Sequence, residues 1–272
     1  MAQNWYAFEN HATKRDLKLE ATRAMVSAAI DEGRVGLAFQ PVFRSGPRPL
    51  IAFHEGLIRI RDRGGRNIPA GEFIPAVEDT TLVQAIDRIA LQKTLDMLQA
   101  DPRQRLSVNI SMNTIGDEGW MNILNRCCKN NPHIADRLIV ELTESTPITD
   151  PEFVAYFIEK GHKLGCSFAI DDFGSGYTGF SHFRRYKFDI VKIDGQFISG
   201  LHENRDNQVL VEALVMIAKQ FDMFTVAEFV ETKEESALLQ KLGIDAMQGY
   251  YYGRSTEMPI CLNTGTQFGA LA

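Results

Sequence analysis

The sequence predicts an α/β fold, a modified TIM-type (β/α)8 barrel in which one strand runs antiparallel to the rest. Three observations carry that reading. Short apolar runs alternate with helical stretches along most of the chain, the pattern of a mostly parallel sheet joined by crossover helices. Roughly eight strands in 272 residues favour closure into a barrel, with an open doubly wound sheet as the alternative. The first two strands lie close enough in sequence to pair as a hairpin, which sets one of them against the others.

Taken in order, the spacing of Leu17, Ala21, Met25, Ala28 and Ala29 predicts a helix over Thr13 to Glu32, closed by Gly33 as its C-cap. Val35 to Phe43 and Ile51 to Ile60 read as the hairpin strands, joined by the turn residues Ser45 to Pro49. Helices follow over Leu82 to Leu98, Trp120 to Cys128, Glu152 to Leu164, Asn207 to Phe221 and Lys233 to Leu242. Between them lie strands at Leu106 to Ile110, Leu138 to Glu141, Ser167 to Ile170, Ile190 to Ile193, Phe224 to Ala227 and Ile244 to Met247. No Pro/Gly/Ser-rich linker, internal repeat or low-complexity tract divides the chain, so residues 1–272 read as one domain. Its motif-bearing core runs from about 35 to 254, after an N-terminal helical segment at 1–32. The tail at 256–272 is weakly patterned and is expected to wrap the surface or be mobile.

Composition excludes several classes. With 44% hydrophobic and 24% charged residues the chain is an ordinary globular protein. A formal net charge of −6 argues against a nucleic-acid polymer held by a basic surface, but leaves room for one small anionic ligand neutralised by metal ions. Cys127, Cys128, Cys166 and Cys261 show neither zinc spacing nor a disulfide framework, which fits a reducing compartment. The N-terminus lacks a signal-peptide apolar core, and no run approaches the roughly 20 apolar residues of a membrane span. The expectation is a cytoplasmic protein with no membrane partner.

The stretch Phe168 to Tyr177, FAIDDFGSGY, is the focus of the chain. A short apolar strand runs into two adjacent carboxylates, Asp171 and Asp172, and then into a glycine-punctuated loop. Successive side chains of a regular strand point to opposite faces, so for both acids to serve one site the backbone must turn between or just after them. Gly174 and Gly176 are the residues expected to permit that turn. In a barrel, functional groups gather at the C-terminal ends of the strands. Those ends carry Glu55, Asn109, Glu141, Asp171 with Asp172, Lys192, Glu228 and Gln248: five carboxylates, two amides and one lysine. Any one of these acids alone reads most simply as a helix cap or a solvated loop residue, and Lys192 as a salt-bridged lysine. Convergence on one rim is what turns the set into a site. Its oxygen donors, without histidine, suit magnesium or manganese and argue against zinc.

These residues bring the chain into resemblance with a known family. Glu55-Gly-Leu57 followed by Arg59, Asn109 in SVNIS, Glu141-Leu-Thr-Glu144, DDFGSGY, Lys192-Ile-Asp194, Glu228 and Gln248-Gly-Tyr250 resemble the EAL-domain motifs, in order and at family-like spacing. Gln40-Pro41 and Phe73-Ile-Pro75 match its flanking motifs. The resemblance implies a modified barrel that hydrolyses cyclic di-GMP to linear pGpG with two magnesium or manganese ions. It implies that Glu55, Asn109, Glu141 and Asp171 hold one ion, and that Asp171 bridges to a second held by Asp172 and Glu228. Lys192 would lie beside the attacking water, with Glu55, Asp171 and Glu228 sharing the catalytic work. Gln40, Leu57, Arg59 and Gln248 look like substrate contacts, and Glu144 would anchor the loop from Phe173 to Tyr177. The family usually forms a homodimer, with that loop coupling the metal site to the dimer face.

Departures from the pattern motivate a second reading. The signature alanine is Gly56, a lost methyl expected to loosen the strand slightly while leaving Glu55 in place. The family's AEGVE is AEFVE, so Phe229 either packs inward and reshapes the pocket or points away. Ser255 replaces a usual proline, and Arg184 to Asp189 replaces a leucine-proline turn near the expected dimer surface. The alternative is therefore a cyclic di-GMP receptor without turnover, acting through a protein partner. A scaffold without binding is disfavoured by the presence of Gln40, Arg59 and Gln248 beside the acids.

Overall fold

The computed structural model describes residues 2–48, 50–143, 150–174 and 185–260. Among the described residues nine strands form one sheet: β1 (Val35–Arg44), β2 (Ile51–Arg61), β3 (Asn67–Pro69), β4 (Leu106–Ile110), β5 (Leu138–Thr143), β6 (Ser167–Phe173), β7 (Ile190–Ile193), β8 (Phe224–Ala227) and β9 (Ala246–Met247). Their order is β1-β9-β8-β7-β6-β5-β4-β2-β3, and β1 also pairs with β2. That last pairing closes an eight-stranded barrel, with β3 appended outside it. β1 runs antiparallel to both of its neighbours, β2 and β9, while the pairs from β2–β4 round to β8–β9 are parallel. The barrel and its single reversed strand are as the sequence predicts.

Longer helices among the described residues are α1 (Ala2–Asp31), α2 (Thr81–Ala100), α3 (Glu118–Asn130), α4 (Pro151–Leu164), α5 (Arg205–Gln220) and α6 (Lys233–Leu242). Their starts are chemically marked. Thr80, Asp117, Asp150 and Asn204 accept backbone N–H bonds as N-caps, and Thr232 with Glu235 makes a reciprocal capping box. α2, α3 and α4 bury Leu91, Leu95, Trp120, Leu124 and Phe157 against the outer faces of β4 to β6. α1 packs Val26 and Ala29 against Ile60, Phe73 and Ile86 beside the hairpin.

Boundaries shift where tertiary contacts intervene. The last strand is Ala246–Met247 and not Ile244 to Met247, because Ile244 belongs to the end of α6. Gly243 turns left-handed there at φ 81°, and the Ile244 N–H donates back to Leu239 O at 3.2 Å. β3 has too short a pattern to be read from sequence. Just past the last strand, Phe39 and Thr256 exchange backbone hydrogen bonds at 2.7 and 2.9 Å. Residues 261–272 lie outside the described residues, as do Gly176, Glu144 and Arg184.

Candidate active site

The interior of the barrel is built in two layers by the strand period of two. Val42, Phe53, Ile139, Ala169, Ile190, Val226 and Ala246 form one buried apolar cluster, a floor contributed by seven strands. Two residues further along the parallel strands the same inward face carries Glu55, Glu141, Asp171, Lys192, Glu228 and Gln248. β1 runs the other way, and its contribution is accordingly Gln40, two residues before Val42.

Lys192 lies at the centre of that polar layer, fully buried. Its Nζ is 2.8 Å from Asp171, 2.9 Å from Glu141, 2.9 Å from Glu228 and 3.4 Å from Glu55. Glu55 also accepts from Asn109 Nδ2 at 3.0 Å and from Gln248 Nε2 at 2.6 Å. One oxygen from each of Glu55, Glu141 and Asp171 lies within 4.8 Å of the others, and the same holds for Asp171, Asp172 and Glu228. The two acidic groups share Asp171.

The turn that brings both aspartates to the site is made at Asp172 itself. Its φ is 54°, and the β6–β7 register breaks between Ile170 and Phe173. The turn thus begins at Asp172, ahead of the expected Gly174, which is also left-handed at φ 98° two residues later; Gly176 lies outside the described residues. Aspartate tolerates that conformation better than most side chains, because its short polar group bonds locally.

The charge balance of the layer is strained. Burial opposes ionisation of Glu55, yet Lys192 and the hydrogen bonds from Gln248 and Asn109 outweigh it and hold that carboxyl below its usual range. Burial, reinforced by Glu55 and Asp171, pushes Glu141 up to about 8 against the pull of Lys192. Burial and then the neighbouring Asp171 charge raise Asp172 to about 6 and Glu228 well above the carboxylate range. Burial disfavours the Lys192 charge, but the surrounding acids overcome this and raise its pKa well above normal. Glu228 Oε2 is buried without a hydrogen-bond partner among the described residues. Carboxylates in this excess call for protons or cations, and hard divalent ions fit an all-oxygen donor set.

Above the layer opens a cleft of about 350 Å³ lined by Gln40, Glu55, Leu57, Arg59, Asp171, Asp172, Glu228, Phe229, Gln248, Tyr250 and Ser255. An adjoining, more apolar cavity of about 390 Å³ includes Glu55, Leu57, Ile74, Pro75 and Asn109. The sequence-predicted residues thus meet at one rim, except Glu144, which lies outside the described residues.

Three departures have structural accounts. At Gly56 a Cβ would lie 2.8 Å from Ser107 O on the neighbouring strand. The missing methyl therefore permits close β2–β4 approach, which corrects the expectation of a loosened strand. Ser255 accepts from Arg59 Nη2 at 3.2 Å, a contact no proline could make. In the altered turn, Tyr186 and Phe188 are buried with ring centroids 5.9 Å apart. Asp87 escaped notice in sequence, being one charge in a helix. It is buried and accepts from Ser111 N at 2.9 Å and Thr114 Oγ1 at 2.6 Å, fixing the turn after Asn109. Its only sequence signal is its place on the apolar face of α2, three residues before Ala90.

A closed barrel with one reversed strand and an acidic, metal-competent rim defines a recognisable class of domain. The chain belongs to the EAL-domain family, whose profile matches residues 23–255. It is 31% identical over 269 residues to the probable cyclic di-GMP phosphodiesterase PdeA of Escherichia coli, covering 92% of this chain and 36% of that protein. It is 32% identical over 233 residues to the cyclic di-GMP phosphodiesterase PdeB of Shewanella oneidensis, covering 84% of this chain and 27% of that one. The chain thus spans about a third of the length of these two relatives. The structure of the PaMucR phosphodiesterase in complex with c-di-GMP superposes with a TM-score of 0.78 at 26% identity, covering 87% of this chain and 97% of that one. The FimX EAL domain of Pseudomonas aeruginosa, bound to c-di-GMP, shares the fold with a TM-score of 0.73 at 22% identity, over 87% of this chain and 96% of that one.

Proposed function

We propose that this domain hydrolyses cyclic di-GMP to linear pGpG with the help of two divalent ions, magnesium or manganese. The observation that carries the reading is the pair of carboxylate groups sharing Asp171 beneath a cleft walled by Gln40, Arg59 and Gln248. Glu55, Asn109, Glu141 and Asp171 would hold one ion, and Asp171, Asp172 and Glu228 the other. When bound, such ions supply Lewis acidity at the phosphate and make water nucleophilic at neutral pH.

The remaining work falls to the chain's own side chains. The Arg59 guanidinium offers charged donors to a phosphate oxygen or a guanine edge. Gln40 and Gln248 offer amide groups to the cleft, and Leu57 lines its wall beside them. The Lys192 ammonium, held by its acids, faces the charge that develops on phosphate oxygens; removing such a stabiliser costs about 10²–10³ in rate. Glu144 is assigned the loop-anchoring role on its motif alone.

The PaMucR structure is a complex with c-di-GMP, which supports the choice of ligand. We also infer a homodimer, since α5 leaves Val209, Leu210 and Met216 exposed. We also place the reaction in the cytoplasm, where Cys127, Cys128 and Cys166 would stay free thiols. Among the described residues no helix is long and apolar enough to cross a membrane.

The test is a paired assay with cyclic di-GMP and magnesium or manganese, following binding by calorimetry and products by chromatography. Wild-type protein is expected to yield metal-dependent pGpG. Asp171→Asn is expected to abolish it, since that change withdraws charge from both acidic groups. Near-normal turnover by Asp171→Asn would overturn the two-ion assignment. Tight binding without product from the wild type would make the domain a receptor acting through a protein partner.

A further inference from the structure

Phe229 holds a conformation that its packing does not explain. Its φ is 53°, in the left-handed region where a bulky side chain is a true outlier. The backbone there is pinned from both sides. Glu228 N donates to Ile193 O at 3.2 Å and Val230 N to Gln248 O at 3.0 Å, the bonds that aim Glu228 into the acidic layer. The turn therefore favours glycine whatever residue occupies it.

Burial does not offset the strain, because Phe229 remains 60% exposed. It lines the cleft with Asp172, Gln248 and Tyr250, so its apolar surface is displayed at the mouth of the site. The ring is also seated. A Cβ on Gly195 would come within 2.5 Å of Phe229 Cδ2, so only glycine at 195 leaves room for the side chain where it lies. The other aromatic on this rim, Tyr250, already carries the Arg254 guanidinium over its face at 3.9 Å. Phe229 thus offers a fixed, open aromatic surface beside a phosphate-competent acidic layer. Strain held at such a place points to function.

We propose that the Phe229 ring is a stacking platform for one guanine base of the bound dinucleotide, and so helps set affinity at this site. The assignment rests on the reading of cyclic di-GMP as the ligand. A purine presents a flat π-face that an aromatic ring stacks on independently of hydrogen-bond readout. With its sugar-phosphate held at the acidic layer, a base turned toward residue 229 meets that ring first.

The test titrates cyclic di-GMP into wild-type protein and the variants Phe229→Gly, Phe229→Leu and Phe229→Trp, in EDTA and in magnesium. Heat is followed for all four, and indole fluorescence for the tryptophan variant. Phe229→Gly and Phe229→Leu are expected to bind roughly tenfold more weakly, while Phe229→Trp retains affinity and is quenched by ligand. The thermal midpoint of Phe229→Gly should not fall, since glycine suits the backbone; weaker binding with undiminished stability separates a contact from a folding defect. Wild-type affinity or better in Phe229→Gly or Phe229→Leu would overturn the platform while leaving cyclic di-GMP as ligand. Failure of the wild type to bind in either condition would overturn the ligand assignment and the platform together.

Discussion

Two layers of one barrel interior, two residues apart on the same strands, obey opposite rules. The floor of Val42, Phe53, Ile139, Ala169, Ile190, Val226 and Ala246 is apolar and fully satisfied by packing. The layer above it crowds four carboxylates around one ammonium and leaves Glu228 Oε2 without a partner among the described residues. The floor adds stability simply by being buried. The polar layer sacrifices stability, since charges removed from water are costly unless paired or metal-bound. The difference teaches that this site is a concentrated defect supported by an ordinary core.

The sharpest break in that comparison is Lys192→Met. With the ammonium gone, the buried acids lose their shared partner, and the metal-free protein should lose about 3–5 kcal/mol at neutral pH. Denaturant unfolding in EDTA measures this, and manganese should restore part of the loss. An unchanged midpoint in EDTA would mean the acids are already neutral and Lys192 is not their counter-charge.

Phe53→Ala probes the floor. Truncating a buried phenylalanine should cost about 3–5 kcal/mol through lost contacts and a cavity. Here manganese should not rescue selectively, and the folded fraction should keep its turnover. A variant that kept its stability but lost metal response would show that the layers are not separable.

The smallest expected effect is a pH trend. Glu141 rises from an ordinary value of 4.5 to about 8 in the fold. Between those values the folded protein holds a proton that the unfolded chain has released. Unfolding then releases that proton, so the contribution of Glu141 to the stability of the metal-free protein is fully present below about pH 4.5 and declines as pH rises toward 8. Divalent ions need the ionised carboxylates, so their stabilising effect should grow over the same range. Thermal midpoints with EDTA and with magnesium, compared across that window, should diverge as pH rises; parallel curves would refute the coupling.

Much of this was legible in the chain alone. Apolar runs with polar residues at their ends announced the strands, because a pleat alternates faces and a buried strand must be apolar except where it meets the site. The motifs around Glu55, Glu141, Asp171, Lys192 and Glu228 named the acids, because their residue types are local facts. What tertiary structure decided were distances and conformations between segments far apart in sequence. Lys192 reaches Glu55 across 137 positions of chain, a proximity that only barrel closure creates. Asp172 turns left-handed where β6 loses register with β7, and Gly56 is required by the Ser107 carbonyl on the adjacent strand. Phe229 could be noticed in the sequence, but whether its ring faced inward or outward depended on the backbone bonds to Ile193 and Gln248. Residue type and period are written locally, whereas contact depends on the whole chain packing around a common core.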